Sequence, residues 1–442
     1  MLRKLKVKGF RLLEDVEIEF QEGAPIVLIG PNGSGKTSIV EVLDLLSMAA
    51  VQGLEAAIYQ QRGGFDLIRT IGRAEPLELD LWMNVGPGAP HGLQQEALLH
   101  YGFALEGTAP PYFRVIRENL DLDAGPPGPS SDEARGLKTI GELMESNGSR
   151  ASGMGIGSTV FLRRDATKVE IRNESRREME TFEPGPTNLA LTALRQNVGY
   201  PTLAAAANLL ANSRLYPGFH TLPSWARDPR ESGPSPRDPS MLMSTRRLDR
   251  RGFDLVNVLY HMRTNDEAGW SDLLQIYTEE FPTITKLEFP PLETPGRVAL
   301  RVHDRRFGEL QALQLSDGQI ELLAVLAATL ATPSPASPAP AVLAFDEPDA
   351  HFHPSLMKRL VSVLERAAER TAVVVATHSD RFLDFLSDPA TSVRVLEAKG
   401  NGTCVRRLDS STLDAWREHY TVSELRARGQ LDPANSERDP AR

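Results

Sequence analysis

The sequence predicts an α/β fold with a mixed β-sheet core, and three stretches carry that expectation. Ile26-Val27-Leu28-Ile29 is a continuous apolar run, the pattern of a strand covered on both faces. A glycine-rich turn follows it, and then Ile39, Val40, Leu43 and Leu46 recur at helical spacing, so the order is strand, loop, helix. Two more apolar runs, 341–345 and 372–376, read as further buried strands. With 442 residues, 41% hydrophobic and 24% charged, the chain has ordinary globular composition and length for roughly three folding units.

The remaining elements fall into place in order. Residues 6–10 and 16–20 alternate as short strands, and 77–82, 103–106 and 113–118 extend the β region. The segment 124–158 is rich in Gly, Ser and Pro and reads as a loop-like insertion. Helical spacing returns at 202–210 and 255–262, around a Pro- and Arg-rich flexible break at 223–240. A strand at 298–302, an apolar helix at 320–330 and a Pro/Ala/Ser linker at 331–340 precede the two late strands. The expected organisation is therefore an N-terminal lobe, 1–186, a mainly helical insert, 187–285, a C-terminal lobe, 286–405, and a helical segment with a frayed tail, 406–442.

Charge and cysteine usage narrow the partners. Forty-nine Lys+Arg against 59 Asp+Glu leave a net charge of −10, so a polyanion would have to be met by a local patch. Cys404 is the sole cysteine, which excludes an internal disulfide and a cysteine metal cluster and fits a reducing compartment. No apolar stretch of signal or membrane-span length lies near the N-terminus, and the expectation is a cytoplasmic protein with no membrane partner.

Gly30-Pro31-Asn32-Gly33-Ser34-Gly35-Lys36-Thr37 fits the phosphate-binding pattern G-x-x-x-x-G-K-[ST], in the strand–loop–helix setting that the pattern requires. Glycines let the backbone curl its N–H groups around a phosphate at the positive end of the following helix. Lys36 would reach the β- and γ-phosphates of ATP, the Thr37 hydroxyl would ligate Mg²⁺, and Ser38 completes the binding set. The second anchor is the strand 341–345 ending in Asp346-Glu347. Neighbours on a strand point to opposite sides, so Asp346 can hold the Mg²⁺ water shell while Glu347 orients the attacking water. Upstream, Leu315-Ser316-Asp317-Gly318-Gln319 opens the apolar helix, and downstream Thr377-His378-Ser379 ends the last buried strand.

This ordered set of motifs resembles the ATP-binding-cassette superfamily of P-loop ATPases, with Ser316, Gly318 and Gln319 in the signature and His378 as the switch histidine. Asp346 to Pro354 followed by Ala376 to Ser379, together with Gly9-Phe10-Arg11, is similar to the soluble OLD/RecF-like AAA-type ATPases, in a stand-alone form without a Toprim nuclease extension. The resemblance implies a P-loop NTPase head of the ABC type, α/β with a helical insertion between its N- and C-terminal lobes. It implies ATP hydrolysis, ATP and Mg²⁺ as ligands, Glu347 and His378 as catalytic residues, and a homodimer or higher oligomer closing over ATP. A partner effector, in phage defence or DNA maintenance, follows from the same resemblance, with a slowly hydrolysing ATP-gated scaffold for a toxin or nuclease as the alternative. His351-Phe352-His353 spells a His-x-His pair without a third clustered ligand, and the resemblance puts His353 in the D-loop, which faces a second copy of the head. Arg227 to Arg251 holds seven arginines against four acids, either a solvated loop or a nucleic-acid contact.

Overall fold

The computed structural model describes residues 1–85, 97–108, 112–123, 159–226, 235–243, 247–292, 295–332, 339–350, 352–399 and 402–408. The insertion 124–158, the segment 409–442 and His351 lie outside the described residues.

At the centre is a six-stranded sheet in the order Arg214–Tyr216, Val342–Asp346, Ala372–Ala376, Ile26–Ile29, Val393–Lys399, Gly402–Arg407. The first five strands run parallel and the last is an antiparallel edge, which makes the sheet mixed. The three inner strands, Val342–Asp346, Ala372–Ala376 and Ile26–Ile29, are apolar at consecutive positions because both of their faces are covered. Ile26, Leu28, Val342, Ala344, Val374 and Ala376 enter one core, whereas Val27, Ile29, Leu343, Phe345, Val373 and Val375 enter the other. The first core also takes the helices Lys36–Gln52 and Pro201–Ala211 and the inner face of a second sheet. The second core takes Leu255–Asn265, Glu267–Glu280, Asp317–Leu330 and Pro354–Ala368.

The second sheet has eight strands, each antiparallel to its neighbours, and begins with Leu13–Glu19, Leu2–Phe10, Leu77–Asn84, Leu98–Gly107 and Phe113–Asp123. Val160–Asp165, Lys168–Asn173 and Glu178–Phe182 continue it, three strands whose exposed charges hide their short apolar alternation in the sequence. Buried Glu118 docks this sheet on the helical side by accepting from the Tyr101 hydroxyl and from the amides of Ala190 and Leu191. A three-stranded antiparallel sheet, Ile284–Glu288, Arg301–Asp304 and Gly308–Gln311, leads into the helix Asp317–Leu330.

Two features differ from the sequence reading. The segment 187–285 supplies the central-sheet strand Arg214–Tyr216, and its helices cover opposite faces of that sheet, so it is woven into the core. The arginine stretch is in part structural as well. Arg237 is buried, Arg247 donates to the side-chain oxygen of Asn212, and Arg250 pairs with buried Asp44 at 3.1 Å. Arg237, buried with its guanidinium committed to protein acceptors, cannot also serve as a free phosphate contact on a nucleic acid, which removes it from such a surface. Arg227, Arg230 and Arg246 lie outside the described residues.

Candidate functional site

The parallel strands bring the separated motifs to one edge. Asp346 stands opposite Ala376, and Ala376 opposite Leu28, so the acid pair, the Thr377-His378 turn and the start of the glycine loop line up at the carboxyl ends of three adjacent strands. Ligands of open α/β sheets bind at that edge.

The loop closes tightly on itself. Gly30, Gly33 and Gly35 have φ of 154°, 77° and 100°. A Cβ on Gly30 would collide with the Leu396 carbonyl oxygen, and one on Gly35 would stand 2.5 Å from the Thr403 Oγ1, so side chains are excluded there. Thr403 donates its hydroxyl to the Ser34 carbonyl at 2.9 Å, a support for the loop from 369 residues away in the chain. Lys36 is buried and its Nζ donates to the carbonyls of Gly30 at 2.8 Å and Pro31 at 3.1 Å. The Ser34 Oγ is buried without a hydrogen-bond partner. Pro31, Asn32, Gly33 and Thr37 are exposed, and Ser38 is buried in the first turn of the helix.

Across from the loop, Glu347 adopts φ 50°, a left-handed backbone that costs a non-glycine residue roughly 1–2 kcal/mol. Its amide donates to the Ala376 carbonyl at 2.8 Å, which pins the residue and helps to offset that strain. The side chain is exposed and lies 3.3 Å from His378 Nε2. Asp346 is half-buried, and burial raises its carboxyl above the ordinary value, with the Glu347 charge adding to the rise and His378 and Lys36 opposing it. The turn is locked from below: Thr377 Oγ1 donates to the buried Asp349 carboxylate at 2.9 Å, and the Ser379 amide donates to Thr377 Oγ1 at 2.9 Å.

Ser316 caps the helix Asp317–Leu330 in a capping box, with its backbone N–H donating to Gln319 Oε1 at 2.8 Å and the Gln319 amide donating to Ser316 Oγ at 3.3 Å. Ser316 is exposed, and Gly318 and Gln319 are half-buried. Behind this start sits Arg237, which the local sequence pattern assigns to a flexible break. Its guanidinium donates to the carbonyls of Thr221, Ala312 (3.0 Å) and Leu315 (2.5 Å) and to Asp317 Oδ1 at 2.7 Å. Nothing local in the sequence marks it, because its acceptors lie on two distant segments, at residue 221 and at 312–317. Arg11 also has a left-handed backbone, φ 47°, and pairs with Glu41. His353 caps the helix Pro354–Ala368, accepting from the Ser355 amide at 3.4 Å.

Two family models match the chain. One is described as an AAA ATPase domain and covers residues 1–83, and the other, an AAA domain whose description also names an AbiEii toxin and a Type IV TA system, covers residues 205–384. Among solved structures, the chain is similar to the SMC head domain from Thermotoga maritima (11% identity, 92% of this chain and 99% of that one, TM-score 0.40). It is also similar to the Smc head domain with an extended coiled coil bound to the C-terminal domain of ScpA derived from Pyrococcus furiosus (14% identity, 94% and 98%, TM-score 0.46). A Smc head domain with a coiled coil and joint from Pyrococcus yayanosii stands alongside (13% identity, 94% and 99%, TM-score 0.46). No curated protein matches the chain. The phosphate loop on a parallel sheet and the two AAA matches, over 1–83 and 205–384, support an ATPase on a P-loop α/β fold. Among the described residues no helix is long and apolar enough to cross a membrane.

Proposed function

We propose that the ATPase is a switch, in which two copies of the head close over ATP and so control a partner effector. The observation that supports this most is the division of the motifs. Loop, acid pair and His378 converge at one sheet edge, whereas Ser316 is exposed and bonded within its own capping box, ready to meet a nucleotide held by a second copy. The effector would belong to phage defence or DNA maintenance, and the toxin–antitoxin wording of one matched family favours the first.

In this reading the loop amides and Lys36 exchange internal contacts for phosphate oxygens, and the buried Ser34 hydroxyl gains its missing partner. Thr37 and Asp346 fit a hard divalent cation such as Mg²⁺, since both offer oxygen and the Asp346 charge is poorly compensated by its surroundings. When bound, that cation neutralises phosphate charge. Glu347 orients the attacking water, and His378, 3.3 Å away, holds Glu347 in place and senses the γ-phosphate.

Glu347→Gln keeps the shape but removes the base, so hydrolysis should fall by roughly 10²–10⁴-fold while ATP stays bound. Light scattering should then show a longer-lived dimer with Mg-ATP. An unchanged mass with and without Mg-ATP would defeat the switch and leave the ATP-gated scaffold reading in its place.

A further inference from the structure

The side chains of Glu347 and His378 are 53% and 43% exposed, so packing does not fix their separation. The constraint has to come from the two turns that carry them. The first follows the strand Val342–Asp346: Pro348, whose ring sets its φ, takes the second position of the turn 347–350, and the Ala350 amide donates to the Glu347 carbonyl at 3.2 Å. This fold-back takes Asp349 into the interior, where it is 9% exposed. The second turn follows the strand Ala372–Ala376 and begins with Thr377, which is fully buried.

The Thr377 hydroxyl joins the two turns. A hydroxyl has one proton to give and lone pairs to receive. The Ser379 amide donates to Thr377 Oγ1 at 2.9 Å, which occupies a lone pair and leaves the proton for the Asp349 carboxylate, whose two oxygens both lie 2.9 Å away. The Thr377 amide donates to the Leu28 carbonyl at 3.2 Å, on the strand that leads into the phosphate loop. Asp349 thus stands two residues after Glu347 and Thr377 immediately before His378, and a buried hydrogen bond to a carboxylate ties one turn to the other. Such bonds are short and directional, and a low-dielectric interior strengthens them.

We propose that Asp349 and Thr377 are positioning residues for ATP hydrolysis, whose hydrogen bond sets the 3.3 Å approach of His378 to Glu347 and thereby the place of the attacking water. The inference rests on the reading of Glu347 and His378 as the hydrolytic pair and adds the contact that holds them. Burial keeps Thr377 and Asp349 from the reacting atoms, so both act through their neighbours. Glu347 needs such support: its left-handed backbone, φ 50°, is a conformation that persists only where the surroundings enforce it. A displacement on the order of 1 Å at a reacting group can cost about 10²-fold in rate.

The test is steady-state ATP hydrolysis by the full chain. Thr377→Val keeps the shape and loses the hydroxyl, and should lower kcat by about 10- to 100-fold while the KM for ATP stays within about threefold, the split expected when a transition-state interaction alone is lost. Thr377→Ser, which keeps the hydroxyl, should stay within about threefold of wild type. Asp349→Ala and Asp349→Asn should divide in the same way, because asparagine retains an acceptor oxygen. Joining Thr377→Val to Asp349→Ala should lower kcat no further than the more damaging single change, since the two residues share one contact. A wild-type kcat in Thr377→Val, an equal loss in Thr377→Ser, or additive losses in the double variant would overturn the proposal. Glu347→Gln, measured alongside, separates the two levels: wild-type hydrolysis in it defeats the reading of the pair itself, whereas an inactive Glu347→Gln beside a fully active Thr377→Val defeats the positioning contact alone. If Thr377→Val does not fold, the two Asp349 variants decide the matter.

Discussion

Replacing Arg237 by lysine keeps a positive charge in place and removes the fork. The side chain is 3% exposed and serves three carbonyls and one carboxylate on separate segments, through Nε, Nη1 and Nη2. A single ammonium cannot span those acceptors, so at least two buried carbonyls lose their donor, at about 1–3 kcal/mol each. The Asp317 contact adds little, because that carboxylate is 44% exposed and screened by solvent. Arg237→Lys should therefore destabilise the fold by about 2–4 kcal/mol, and Arg237→Ala by about 3–5 kcal/mol. The assay is urea unfolding, read as a shift of the midpoint at constant slope. Leu315 immediately precedes Ser316, so the lysine variant should also lose steady-state ATP hydrolysis while ATP affinity, measured by titration calorimetry, changes by less than about threefold. Arg237→Lys within about 0.5 kcal/mol of wild type would refute the clamp, because an ammonium would then suffice where the geometry demands a fork.

Lys36→Ala should abolish ATP binding in a protein that stays folded, since its charge compensates closely spaced phosphates in a partly shielded pocket; wild-type affinity in calorimetric titration would contradict the loop assignment. Glu321, 1% exposed, is pushed up to about 8 by burial, with the charges of Asp349 and Asp317 adding to it. The native state then holds a proton that the unfolded chain has released, so stability declines as pH rises from the ordinary glutamate value of 4.5 towards about 8 and levels off above it. Glu321→Gln, neutral throughout, should be more stable than wild type by up to about 4 kcal/mol at pH 9 and nearly equal to it at pH 4; parallel urea midpoints across that range would rule the burial argument out.

Much of the proposed nucleotide site is local chemistry and is legible as such. Gly30 to Thr37 carries its own backbone instruction, because only residues without Cβ adopt φ of 154° and 100° against Leu396 and Thr403. The acid pair is likewise announced by the apolar strand that ends in it, and the capping box of Ser316 and Gln319 is a pattern of spacing three. Continuous apolar runs indicate strands covered on both faces, and the alternation of Ile26 and Leu28 against Val27 and Ile29 between two cores is the physical form of that signal.

What no window of sequence contains is which distant groups meet. Arg237 looks like one charge among seven in a Pro-rich stretch, yet its acceptors come from residues 221, 312, 315 and 317. Thr403 supports a loop 369 residues away, and the strand Arg214–Tyr216, three residues long, is too short to stand out within a helical region. Local propensity and hydrophobic period act over a few residues, and that range suffices to write the phosphate loop, the acid pair and the buried strands into the chain. The burial of Arg237 and the support from Thr403 arise only when the whole core has packed. Packing brings partners together by the shape and satisfaction of the entire interior, and desolvation gives a charge its meaning only once its neighbours are in place.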